Sequence, residues 1–134
     1  MDYTVAATMT TPVVAVKPDT TVAAALTLMR RRAIHSVLVE PADEQAGYGI
    51  MTMTDVITKV VAQELDPRQV KVRELMTAPI VTASPEWTLK ECANRMKALN
   101  VRRLPVVDRE GQLVGIISDT DIFMAVEERG WESG

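Results

Sequence analysis

A chain that repeats itself folds as copies of one small unit, and this chain repeats itself once. Met9 and Met76 stand 67 residues apart, and the same offset relates Pro12 to Pro79, Pro18 to Pro85, Met29 to Met96 and Ile34 to Val101. Beyond the loop "PADEQAGYG", matched by "DREGQLVG", the offset becomes 66, so that Gly49 answers Gly115 and Asp55 answers Asp121. One residue gained or lost in a turn is the change a duplicated fold tolerates best. The paired stretches "MTTPVVAVKPDTTVAAALTLMRRRAIHSVLVE" and "MTAPIVTASPEWTLKECANRMKALNVRRLPVVD" leave chance a poor rival.

Each copy has the same order of elements. A short extended piece ("PVVAV", "PIVTA") leads through a proline turn into a helix. The helix carries apolar residues at helical spacing: Val22, Ala25, Leu26 and Met29 in the first copy, Leu89, Cys92, Ala93, Met96 and Leu99 in the second. Thr20 or Thr21 is placed to cap the first helix, and Ser84, followed by Pro85, to cap the second. A strand follows ("HSVLVE", "RLPVVD"), then a turn, then a near-continuous apolar strand ("YGIMT", "LVGIIS") expected to be buried on both faces. A second helix closes each copy, from Asp55 to about Glu64 and from Asp121 to about Glu128. The expected fold class is α+β (mixed α/β), two β-α-β-β-α units divided at residues 1–66 and 67–134. One unit of about 65 residues has a thin core. The two are therefore expected to pack as one globule about a pseudo-twofold axis.

Composition narrows function by exclusion. A net charge of −3 lacks the basic excess of a nucleic-acid surface, so no nucleic-acid partner is expected. Cys92 is the only cysteine, which rules out an intrachain disulfide and a thiolate metal cluster. Its place on an apolar helix face suits a small buried hydrophobe. His35 is the only histidine, so no histidine metal cluster forms and Cys92 has no evident catalytic partner. No apolar stretch approaches the about 20 residues of a membrane helix. The opening "MDYTVAATMTT" lacks the charged lead and hydrophobic run of a secretory signal. The expectation is a cytoplasmic protein without membrane insertion.

The chemistry concentrates where each apolar strand runs into the closing helix. "GIISDTDIF" sets Ser118 three residues before Asp121, and "GIMTMTDVI" sets Thr52 three before Asp55. A hydroxyl three residues ahead of an acid is a capping box, in which the hydroxyl satisfies an orphan helix N–H and the acid reaches back. The motif also suits a ligand: a carboxylate in the first turn can accept from both hydroxyls of a ribose, with the nearby hydroxyl and helix N–H groups taking an oxygen. Asp instead of Glu or Gln at the last position argues for the ligand, since the longer side chains are better suited to reach back. Capping and binding are compatible, and both are expected. Gly49 and Gly115, lacking a Cβ, allow a ring or a neighbouring backbone to come close.

The order of elements, with "NVRRLPVVDREGQLVGIISDTDI" in the second copy and "GIMTMTDV" and "AIHSVLVE" in the first, resembles the cystathionine β-synthase (CBS) domain. The tandem pair looks like a Bateman module, from about Met9 to Val126. The resemblance implies regulation, with adenosine ligands (AMP, ADP, ATP or, less favoured, S-adenosylmethionine) bound in two clefts between the paired domains. No metal and no catalytic step are implied. It further implies a disc-like homodimer and a regulated partner protein, with the clefts drawing on both copies. The first takes Thr52, Asp55, His35 and Ser36, with Ala78, Pro79, Ile80 and Val101 from the second copy. The second takes Ser118, Asp121, Arg102 and Arg103, with Thr11, Pro12, Val13 and Ile34 from the first copy.

On this pattern the apolar members sandwich the adenine and the polar ones meet ribose and phosphate. Arg102 and Arg103 offer cationic forks for phosphate where the first copy has His35 and Ser36. His35 gains charge below about pH 6.5. The second cleft is therefore expected to bind the more phosphorylated ligand, or to bind more tightly. The eight methionines are expected to fill core and interface gaps, with Met51 and Met53, beside Thr52, also near enough to touch a base. The run Arg30-Arg31-Arg32 suits the carbonyl end of a helix.

Overall fold

The structure, a computed structural model, describes residues 3–11, 13–43 and 46–129. In chain order the elements are α1 (Val5–Thr8), β1 (Ala15–Val16), α2 (Val22–Arg32), β2 (Ser36–Val39), β3 (Gly49–Thr52) and α3 (Met53–Val56), which runs into a π-helical turn (Ile57–Val61). A 3-10 turn (Val72–Glu74), α4 (Leu89–Leu99), β4 (Arg103–Val107), β5 (Leu113–Ser118) and α5 (Asp119–Arg129) complete the order. The residues gather into two compact units: 14–80, and 1–13 together with 81–134. Each unit thus joins the body of one sequence copy to the opening segment of the other.

In the unit 14–80, β2 lies between β1, which it meets in parallel, and β3, which it meets antiparallel with Ser36 opposite Thr52. Thr21 caps α2, its Oγ1 accepting from the Ala24 N–H at 3.1 Å. The helix ends on Ala33 in the left-handed region, and Arg30, Arg31 and Arg32 fill its last turn, where positive charge meets the unsatisfied carbonyls. Val22, Ala25 and Met29 turn inward on Val37, Val39 and Met51. The opening segment of the second copy is bound in by backbone: the Val22 N–H donates to the Val70 carbonyl and the Val72 N–H to the Thr20 carbonyl, each at 2.8 Å. Val72, wholly buried, joins the same core.

The other unit repeats the plan. β4 and β5 are antiparallel with Arg103 opposite Ser118, and Leu89, Cys92, Met96, Leu104, Val106 and Ile117 make the core around Val5. The cap of α4 differs from expectation. Its N-cap is Thr88, whose Oγ1 accepts from the Glu91 N–H at 3.1 Å, whereas the Ser84 hydroxyl accepts from the Glu86 N–H in a preceding turn. The helix cannot start at Pro85 because the carbonyls of Pro85 and Trp87 are already bonded, to the N–H groups of Ala6 and Val5. α1, which supplies those donors, lies ahead of the legible repeat and was not anticipated. The expected burial of β3 and β5 on both faces is also corrected. Met51 and Ile117 are fully buried, but Ile50 and Ile116 beside them are only half-buried, as alternation on a strand with one core-facing side requires. Among the described residues no helix is long and apolar enough to cross a membrane.

Candidate functional site

Both hydroxyl–carboxylate pairs form where a strand hands over to a helix, and both are reciprocal capping boxes. The Asp55 N–H donates to Thr52 Oγ1 at 3.2 Å, while Asp55 Oδ2 accepts from the Thr52 N–H at 2.8 Å and from its hydroxyl at 3.1 Å. In the second copy the Asp121 N–H donates to Ser118 Oγ at 3.1 Å and Asp121 Oδ2 accepts from the Ser118 N–H at 2.9 Å. The expected capping forms at both places, and since aspartate reaches back itself, its presence in place of Glu or Gln is no argument for a ligand. The extended backbone of the cap residue, φ −111° and ψ 166° at Thr52, turns its N–H toward the first turn and brings it within reach of the shorter side chain.

The capping bonds occupy one oxygen of each carboxylate and hold the group still. A carboxylate has about four lone-pair sites, so acceptor capacity remains on Oδ1. The two copies treat that oxygen differently. Asp121 Oδ1 accepts from the Thr10 hydroxyl at 3.0 Å. Asp55 Oδ1 lies 3.6 Å from Lys59 Nζ, which also donates to the Leu75 carbonyl at 3.0 Å. Thr10 and Lys59 were both missed from the sequence. Thr10 stands next to the chosen Thr11, and Lys59 follows Asp55 at the i,i+4 spacing of a helical ion pair, where the second copy has Ala125.

Beside each carboxylate an opening segment from the other copy lies against the strand. The Ile50 N–H donates to the Thr77 carbonyl and the Thr77 N–H to the Ile50 carbonyl, at 3.0 and 2.9 Å. Thr10 and Ile116 exchange the same two bonds, at 2.8 and 3.1 Å. Such closeness needs glycine. A Cβ on Gly49 would lie 3.1 Å from the Thr77 carbonyl oxygen and 2.9 Å from Met76 Sδ; one on Gly115 would lie 3.2 Å from the Thr10 carbonyl oxygen and 2.5 Å from Met9 Sδ. Protein backbone and methionine, not a ring, fill the room these glycines leave.

The unit 14–80 brings together Thr52, Asp55, Ser36, His35, Ala78, Pro79 and Ile80. Ser36 stands opposite Thr52, the His35 carbonyl accepts from the Met53 N–H, Ala78 faces Gly49, and the Ile80 N–H donates to the Tyr48 carbonyl. The other unit brings together Ser118, Asp121, Arg102, Arg103, Thr11 and Val13. There Arg103 stands opposite Ser118, and the Arg102 carbonyl accepts from the Asp119 N–H at 2.8 Å. Pro12 lies outside the described residues.

Ile34 and Val101 each belong to the unit opposite the site assigned to them. Val101 lines an open groove of about 640 Å³ with Lys97, Asn100, Arg102 and Asp119. Ile34 lines the repeat-related groove of about 460 Å³ with Arg30, His35 and Met53. Met51 is core and out of reach of any base, whereas Met53 is exposed. Cys92 is wholly buried, and burial pushes its thiol up, as an inert core residue requires.

Comparison with known proteins agrees with this duplicated geometry. A family model described as "CBS domain" matches residues 4–62 and again 72–128. The chain is 35% identical over 127 residues to the CBS domain-containing protein YhcV of Bacillus subtilis, which covers 94% of this chain and 86% of that one. It is 38% identical over 96 residues to an uncharacterized protein of Methanopyrus kandleri, covering 71% of this chain but only 48% of that one. Among solved structures, a hexameric CBS-CP12 protein from bloom-forming cyanobacteria superposes with a TM-score of 0.86 at 35% identity, over 99% of this chain and 78% of that one. The CBS domain pair of protein MJ0100, in complex with 5'-methylthioadenosine and S-adenosyl-L-methionine, shares the fold with a TM-score of 0.80 at 24% identity, over 96% and 99% of the two chains.

Proposed function

We propose, from the premise that this chain belongs to the CBS domain family, that it is a non-enzymatic regulatory module that binds adenosine nucleotides and passes their presence to a partner protein. Its two CBS domains are assigned to residues 1–66 and 67–134, and its two sites to the Thr52/Asp55 and Ser118/Asp121 pairs. The observation that carries the reading is the repeated placement of a carboxylate, fixed by its own capping box, with acceptor capacity left on Oδ1 beside an opening segment. A fixed acceptor loses little entropy on gripping a vicinal diol. AMP, ADP or ATP are the ligands favoured, with S-adenosylmethionine behind them. The MJ0100 pair with its two adenosine ligands supports this chemistry through likeness of fold.

The signal passes only if the ligand binds two arrangements of the protein unequally. A homodimer is the proposed assembly. Met53, Ile57 and Val61, 42%, 55% and 63% exposed, recur every fourth residue along α3 and the π turn, an apolar line suited to a protein contact. The hexameric CBS-CP12 relative supports self-association. The same apolar line favours a second reading, an interaction module whose sites stay empty because Thr10 and Lys59 already engage the carboxylates.

Thermal unfolding with AMP, ADP, ATP, S-adenosylmethionine and adenosine separates the two. A ligand at 100 times its Kd stabilises by about 2.7 kcal/mol, a rise of several degrees. Asp121→Ala should remove the contribution of one site and leave the other. Unchanged unfolding with every adenosine compound would establish the interaction module instead.

A further inference from the structure

The two sites differ most in what holds the free carboxylate oxygen. Lys59 Nζ is held at two points, 3.0 Å from the Leu75 carbonyl oxygen and 3.6 Å from Asp55 Oδ1, although its side chain is 48% exposed and that of Asp55 only 17%. It rides on the π turn Ile57–Val61, closed by the Ala62 N–H on the Ile57 carbonyl at 2.9 Å. Irregular turns of this kind inside helices gather at functional sites. The same stretch of the second copy stays α-helical within α5, and the residue matching Lys59 is Ala125, which is buried in the core. There, among the described residues, the corresponding oxygen meets the neutral, rotatable hydroxyl of Thr10.

We propose that Lys59 is a specificity residue of the first site: an internal cation that competes with a ligand's diol for Asp55 and sets this site's affinity for adenosine below that of the second. The inference rests on the adenosine-binding reading above. A carboxylate accepts more strongly from a neutral hydroxyl when its charge is unshared. At Asp121 a ribose displaces a hydroxyl like its own, so that exchange is nearly even. At Asp55 it competes with an ammonium that keeps its second anchor on Leu75 and so stays close to the carboxylate. The cost is moderate because Lys59 is half-exposed and water screens the pair.

The test uses adenosine, which carries no phosphate and so excludes any direct attraction to the lysine. Protein labelled at isoleucine methyls is titrated by NMR, with Ile50 reporting the first site and its repeat partner Ile116 the second. In the wild type the Ile116 signal should saturate at lower adenosine concentration than Ile50. Lys59→Met should move the Ile50 curve to about threefold lower concentration and leave the Ile116 curve in place. Lys59→Arg, which keeps the charge, should restore the wild-type order. Added salt should tighten the Ile50 response in the wild type and not in Lys59→Met, a dependence that simple loss of packing does not produce. An Ile50 curve unmoved or weakened by Lys59→Met overturns the role of Lys59 while leaving adenosine binding intact. Wild-type signals that ignore adenosine at both isoleucines overturn the binding reading and this inference together.

Discussion

The unit 14–80 keeps a three-stranded sheet, while its counterpart, built from 1–13 and 81–134, keeps two strands, although the two share register almost residue for residue. The cause is one position. In the first unit the Leu38 N–H donates to the Val14 carbonyl at 3.1 Å and the Glu40 N–H to the Val16 carbonyl at 2.8 Å, which fixes β1. In the second the matching residues are Pro105 and Val107. Val107 still donates to the Ala83 carbonyl at 3.0 Å, but Pro105 has no N–H to give. The third strand shrinks to a single bridge at Ala83, and Val81 is left 46% exposed. The duplication thus keeps register where a core enforces it and diverges where one missing donor releases the edge.

Importing the proline into the intact sheet is the strongest way to break this contrast. Leu38→Pro removes the ladder bond to Val14 and strands its carbonyl. It also replaces a branched side chain that is 1% exposed with a ring tied back to its own nitrogen, out of the space the leucine filled. The expected loss is about 4 kcal/mol, from the unsatisfied group and the lost packing together. It is measured as a fall in the urea midpoint with fast amide exchange at Glu40. Full protection of Glu40 in this variant would mean that the edge is held by something other than the donor at residue 38.

A smaller effect sharpens the comparison of the two opening segments. A Cβ on Gly49 meets rigid neighbours, the Thr77 carbonyl oxygen and Ala78 Cβ, both at 3.1 Å, besides Met76 Sδ. On Gly115 its two nearest contacts are the sulfur and Cγ of Met9, a side chain able to rotate away. Gly49→Ala should therefore cost about 3 kcal/mol, near the upper end of overpacking, and Gly115→Ala about 1 kcal/mol. Equal falls in unfolding midpoint would show that the two segments yield alike.

The sequence carried the helix and strand order because its apolar spacing, at Val22, Ala25 and Met29 and again at Leu89, Cys92 and Met96, is that of the observed cores. The repeat also located both capping boxes, since a hydroxyl and an acid three apart after an apolar strand have one local geometry that satisfies them. The cap of α4 was misplaced because Ser84-Pro85 imitates a helix start whose carbonyls, in the folded chain, serve α1. Burial on both faces of β3 and β5 was misjudged because unbroken apolar runs do not tell which side a core will cover. Lys59 and Thr10 stayed hidden for a different reason. The Asp55 partner of Lys59 was within reach of the i,i+4 rule, but the anchors that fix the lysine and the threonine, the Leu75 carbonyl and Asp121, lie 16 and 111 residues away.

The gentlest contrast sits at matched core positions, where the first unit has Ala25 and the second Cys92, both fully buried. Cys92→Ala copies the first core into the second and removes one buried sulfur, a loss of about 0.5 kcal/mol at neutral pH. The difference should change with pH in a set direction. Burial pushes the Cys92 thiol up, so above the unfolded thiol's pKa of about 8.5 the unfolded chain releases a proton that the folded chain retains. Wild-type stability is therefore expected to decline from there as pH rises toward the folded value. Cys92→Ala lacks that decline, and the two stability curves should converge on the alkaline side. Ala25→Cys should introduce the same alkaline decline into the first unit if its core is as dry. Parallel curves from neutral to alkaline pH would mean that the folded thiol ionises as readily as the unfolded one, and that the second core admits water where the first does not.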